Sequence, residues 1–88
     1  MSDVSLAVAM RDKIRGFIEK NFYIPEGQKL PDDSSLLDNG VIDSTGVLEL
    51  IAFLEQNYGI TVEDHEVLPV NLDSIDQLAT FVERKRAA

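Results

Sequence analysis

Few residues in this chain are equipped for chemistry. The 88 residues include one histidine, His65, and no cysteine. Disulfides, zinc–thiolate sites and thiol catalysis are thereby excluded, and any thiol used here must arrive on a cofactor. Ser44 stands out among the hydroxyls because it follows Asp43 in Val41-Ile42-Asp43-Ser44-Thr45-Gly46. A Ser-His-Asp arrangement would have to bring His65 to Ser44, and the serine lacks the G-x-S-x-G setting of a nucleophile elbow. His65 lies among Glu63, Asp64 and Glu66 and reads as an exposed surface residue. A calcium loop built around Gly40 would put Ser35, Leu37 and Gly46 at ligand positions, where carboxylates are required. One histidine builds no metal triad, and no glycine-rich phosphate loop occurs.

Asp43-Ser44 opens a strongly amphipathic stretch, which allows two readings. Either residue can cap a helix, as most such pairs do. Alternatively, a phosphodiester on Ser44 would sit where unpaired backbone N–H groups and the positive end of the helix dipole favour an anion. A hydroxyl at a helix tip is also within reach of a modifying enzyme.

The elements that must position this pair follow from periodicity. Leu6, Met10, Ile14, Phe17 and Ile18 recur at helical spacing and predict a first helix over Ser5–Phe22, ended by Pro25 and Gly27. From Ile24 to Asp43 no period holds, but Leu30, Leu36, Leu37, Val41 and Ile42 imply a loop wrapped onto the core. Val47, Leu50, Ile51, Leu54 and Tyr58 form the buried stripe of a second helix over Ser44–Tyr58, stopped by Gly59, with Glu49 and Glu55 pointing away. Glu63–Leu68 suggests a short third helix closed off by Pro69. Ser74-Ile75-Asp76-Gln77 fits a capping box for a last helix carrying Ile75, Leu78, Ala79 and Val82, with Phe81 close by. No alternation suggests a sheet. The expected fold is all-α, a four-helix bundle with three longer helices, one short helix and a long first loop, in a single domain over 1–88.

Charge narrows the partners. The formal net charge is −8, and from Leu30 to Glu83 there are twelve acids and no Lys or Arg. Such a field repels nucleic acid and anionic lipid and steers basic protein surfaces toward the middle of the chain. The N-terminus carries Asp3 where a signal peptide would carry a base, and Val47–Leu54 is too short to span a bilayer. A cytoplasmic monomer that crosses no membrane is expected.

The stretch Leu36-Leu37-Asp38-Asn39-Gly40-Val41-Ile42-Asp43-Ser44-Thr45-Gly46-Val47-Leu48-Glu49-Leu50 resembles the acyl carrier protein family. That family has a G-x-x-D-S core, an E-L pair five and six residues after the serine, and an L-E-x-x-(F/Y)-G-I tail, supplied here by Leu54 to Ile60. Asn71 to Leu78 is similar to the family's last helix. The resemblance runs from Leu36 to Val82. It implies that Ser44 bears 4′-phosphopantetheine, flanked by Asp43 and delivered from coenzyme A by a magnesium-dependent phosphopantetheinyl transferase. It also implies that the thiol of the arm holds an acyl or aminoacyl group as a thioester, and that the carrier itself is no enzyme. Its further partners would be a loading ligase or transferase and downstream acyl-using enzymes, met through Glu49, Glu55 and Thr45. The competing readings are an unmodified acidic helical interaction module and a small serine hydrolase.

Two positions depart from the usual D-S-L pattern: Thr45 follows the serine, and Gly46 stands where many fatty-acid carriers have an acid. D-S-x-G is similar to D-alanyl carriers and to stand-alone carriers served by adenylating ligases. The cargo stays open between a fatty acyl group, a polyketide intermediate and an amino acid. A glycine in a first helical turn costs up to about 1 kcal/mol relative to alanine, so the tip of the second helix is expected to be looser and less apolar than in a fatty-acid carrier.

Overall fold

The computed structural model describes residues 3–24 and 30–87, with side chains from Val8 onward. Pro25, Gly27 and the side chain of Leu6 lie outside the described residues. Four helices follow in order: α1 (Asp3–Asn21), α2 (Ser44–Tyr58), α3 (Pro69–Leu72) and α4 (Ile75–Ala87). A single 3-10 turn, Asp64–Glu66, precedes α3, and no strand occurs among the described residues.

The apolar periodicities converge on one core. Ile14 and Ile18 of α1, Leu50 and Leu54 of α2, and Ile75, Leu78, Ala79, Phe81 and Val82 of α4 are buried together. Burying side chains of this size is worth roughly 1.5–3 kcal/mol each, which is what holds helices this short in place. Phe81, placed beside the α4 stripe by its spacing, is fully inside it and carries the Arg84 guanidinium 5.6 Å from its ring centre. The α1–α2 contact is aromatic. Phe17 and Phe53 stack with ring centres 4.1 Å apart, and Phe22 meets Phe17, and Tyr58 meets Phe53, edge to face. The Tyr58 hydroxyl is buried without a hydrogen-bond partner among the described residues, and burial raises its pKa above the ordinary tyrosine value.

The third helix differs from expectation. Pro69 opens α3 instead of closing the preceding segment, because proline at the first helical position gives up an N–H that no carbonyl would have received. Glu63 to Glu66 closes locally as the 3-10 turn, in which the Glu63 N–H donates to Glu66 Oε1 at 3.0 Å. At α4 the expected cap is present, the Ser74 hydroxyl accepting from the Gln77 N–H at 3.1 Å.

From Leu30 onward the first connection wraps the core. Leu30, Leu36, Val41 and Ile42 are buried, whereas Leu37, expected inside with them, is 41% exposed. The difference follows from a clasp at Asp73. The Leu36 N–H donates to the Asp73 carbonyl at 2.7 Å, the Leu37 N–H to Oδ1 at 2.9 Å, and the Ser35 hydroxyl to Oδ2 at 2.5 Å. With Leu36 turned inward, its neighbour faces out. Gly40 then reverses the chain at φ 70°, a conformation that favours glycine, and the Val41 N–H returns to the Leu36 carbonyl at 3.0 Å. Further back, Arg15 pairs with Asp32 and donates to the Leu30 carbonyl.

Asp73→Ala removes both side-chain acceptors of the clasp and should destabilise the protein by about 1.5–3 kcal/mol in urea denaturation. Asp73→Asn, which keeps one carbonyl acceptor for Leu37, should lose roughly half as much. An unchanged midpoint in Asp73→Ala would show that burial of Leu36 alone holds the loop.

Candidate functional site

The loop delivers the chain to the start of α2 with Val41 and Ile42 anchored in the core. Asp43 is the N-cap: its backbone is extended (φ −119°, ψ −175°), its Oδ1 accepts from the Gly46 N–H at 2.7 Å, and its carbonyl accepts from the Val47 N–H at 3.0 Å. Of the two uses open to Asp43-Ser44, capping therefore falls to Asp43. Ser44 is the first residue of α2 and is exposed, with its hydroxyl not needed for the cap. The first turn still has its own and Thr45's N–H groups free of the Asp43 carboxylate, which keeps the helix end favourable to a phosphodiester.

Around Ser44 the surface is mixed. Thr45 and Glu49 are exposed, and Leu48, one turn after the serine, is 66% exposed. Leu48 is thus an exposed apolar side chain on the same helix, separate from the position of Thr45. Glu55 does not stand free on the outer face. It is half-buried, and its Oε2 accepts from the Val62 N–H at 2.9 Å, tying down the chain after α2. Ile42 and Val47, which bracket Asp43-Ser44, also line a largely apolar 90 Å³ cavity that has Leu37, Leu68, Leu72 and Asp73 among its other walls. His65 is exposed on the 3-10 turn and makes no hydrogen bond to Ser44 among the described residues. No group of three His, Asp or Glu side chains among them could hold a metal ion, and no helix among them is long and apolar enough to cross a membrane.

Gly46 corrects the expectation of a loose helix tip. It is buried, and a Cβ built on it would lie 2.8 Å from Ile42 Cγ1 and 2.8 Å from Phe22 Cε1. The first turn of α2 is pressed against its neighbours at backbone level, so the glycine serves close approach. Position alone held no decisive signal, since Gly16 is also helical and a Cβ there meets nothing within 4 Å.

An exposed hydroxyl on a capped helix tip, beside an apolar cavity, suits a covalently attached arm. The family model described as phosphopantetheine attachment site matches residues 12–82. The chain belongs to this family. It is a phosphopantetheine-carrying acyl carrier, and the arm supplies the thiol that its own residues lack. The carrier is 23% identical over 78 residues to a protein of Serratia sp. named "Probable acyl carrier protein PigG", covering 89% of this chain and 90% of that one. Its fold is similar to the crystal structure of a mitochondrial acyl carrier protein of Toxoplasma, with a TM-score of 0.70 at 23% identity, covering 93% of this chain and 92% of that one. The all-α bundle expected from the sequence is therefore the acyl carrier fold, and the unmodified interaction module is not favoured. Carriers of this family present their cargo to modifying and acyl-using enzymes.

The two helical glycines of the carrier should respond oppositely to alanine. Gly16 is exposed on α1, and a Cβ there meets nothing within 4 Å. Gly16→Ala should raise stability by about 0.4–1 kcal/mol. Gly46→Ala should lower it by about 1–3 kcal/mol through overpacking, against its better helix propensity. Thermal melting reads both signs, and a stabilised Gly46→Ala would show that the packing around Phe22 is soft.

Proposed function

We propose that Ser44 is the attachment point of the arm, in a single carrier domain that performs no bond chemistry on its cargo. The observation that carries the assignment is the division of labour at the start of α2: Asp43 supplies the cap and leaves the Ser44 hydroxyl exposed. In the modification the Ser44 oxygen gains the phosphopantetheinyl group of coenzyme A and loses its proton, and the adenosine bisphosphate portion leaves. The partner in that step is a phosphopantetheinyl transferase. Later partners are a loading ligase or acyl transferase and the enzymes that use the acyl group. Incubation of the unmodified protein with coenzyme A, magnesium and a promiscuous transferase should add one phosphopantetheinyl unit by intact mass. Ser44→Ala should abolish the addition while keeping the helical circular dichroism, because the cap stays on Asp43. Undiminished transfer to Ser44→Ala would place the arm elsewhere.

Partner recognition is proposed to run through the exposed acids beside Ser44, with Glu49 the leading contact and Thr45 shaping its chemistry. Glu55 contributes charge through a carboxylate already committed on one oxygen to Val62. Thr45 in place of leucine favours a dedicated ligase or specialised acyl transferase over general fatty-acid synthesis, whereas Gly46 drops out of that argument because packing accounts for it. Glu49→Lys should slow association with the transferase and flatten its dependence on ionic strength, while helicity is unchanged. Association rates identical to wild type at low and high salt would reduce the acidic face to a solubility role.

A further inference from the structure

The aromatic row between α1 and α2 ends at Phe22, whose ring edge lies against the first turn of α2. What it meets there is bare backbone, two residues from Ser44. A side chain at position 46 would overlap both Phe22 and Ile42, and Ile42 is itself buried at 5% exposure directly before Asp43. Ring and backbone thus close on each other with no rotatable side chain between them. Contacts made through side-chain tips can yield by rotamer changes; a ring seated on a helix backbone fixes where that turn sits. Phe17 backs the Phe22 ring from the side, 5.9 Å between centres, and Phe17 is in turn stacked on Phe53 of α2.

We infer that Phe22 is a positioning residue for the modification of this carrier: its joint with Gly46 sets the pose of the helix tip that presents Ser44 to the transferase. The inference rests on Ser44 being the attachment point. Because Glu49, the leading contact for association, lies beyond the first turn of α2, loosening the joint changes how the bound hydroxyl is aimed more than how tightly the carrier binds.

The test is a double-mutant cycle on the whole chain, comparing wild type, Gly46→Ala, Phe22→Leu and the double variant. Gly46→Ala should lower kcat for transfer from coenzyme A about tenfold with KM little changed, since small misplacements of a reacting group are costly. The double variant, in which the shorter leucine relieves the contact at Phe22 and leaves that at Ile42, should lose clearly less than the product of the two single effects. The amide NMR signals of Ser44 and Thr45 should shift in Gly46→Ala and return in the double variant. Wild-type kcat in Gly46→Ala, or a double variant that is merely additive, would overturn the inference. If Gly46→Ala does not fold, recovery of folded protein in the double variant supports the joint and failure to recover rejects it. Should wild type not be modified at Ser44, the attachment assignment falls, and the NMR arm still decides whether Phe22 and Gly46 form the joint.

Discussion

A chain that leaves one helix and wanders for some twenty residues before starting the next must be fastened, or the second helix begins nowhere in particular. Here the fastening is done by Asp73, at the corner between α3 and α4. It receives two backbone N–H groups and a serine hydroxyl from the loop in front of α2. Ordering each loop residue costs about 1–2 kcal/mol of backbone entropy, which hydrogen bonds alone do not repay. The clasp succeeds because it orients Leu36, Val41 and Ile42 into the core, so that hydrophobic burial follows from the polar contacts. Everything at Ser44 inherits this arrangement, since Ile42 is only two residues away and packs on Gly46.

The electrostatics show a similar economy. Arg11 pairs with Asp76 at 2.8 Å, Lys85 with Glu66 at 2.8 Å, and Arg15 with Asp32, so three cations from the chain's two ends are committed to acids of the middle segment. Partly exposed pairs of this kind add little to stability. Their effect is on the field: Asp32, Glu66 and Asp76 are paired, while Glu49 on α2 and its N-cap Asp43 remain exposed. The hydrogen bond from Lys85, followed by that from the Glu63 N–H, holds the Glu66 carboxyl below its usual range. A lowered carboxylate pKa contributes stability at neutral pH, and the contribution fades as pH falls through that lowered value.

Much of this was legible in the residue order, and the exceptions are physical. The bounds of α2 could be read because Asp43 and Gly59 are strong end signals and the stripe between them is regular. The Ser44 motif was readable only through its family resemblance, because type and position alone left Asp43-Ser44 open between a cap and an attachment point. Pro69 was ambiguous, since proline both ends and begins helices, and only the following backbone decides. Asp73 carries no local signature: its partners lie 36 to 38 positions earlier in the chain, and an aspartate before a helix looks like any other. Glu55 has the same difficulty, because its acceptor role depends on where Val62 returns. Gly46 could be misread as looseness for the reason that makes it informative, namely that a missing side chain looks alike whether the space beside it is empty or full.

Asp43 and Ser44 are adjacent, yet one completes the structure and the other takes no part in completing it. A ligand shifts a folding equilibrium only when it interacts differently with the two states. With the cap vested in the aspartate, substitution on the serine oxygen leaves the fold's own bonds in place. On the proposed attachment at Ser44, the unmodified and modified chains would keep the same cap, and an enzyme would tell them apart by the appendage. The molecule is in this sense a standard fitting, its helix end finished without the hydroxyl from which the proposed arm would hang.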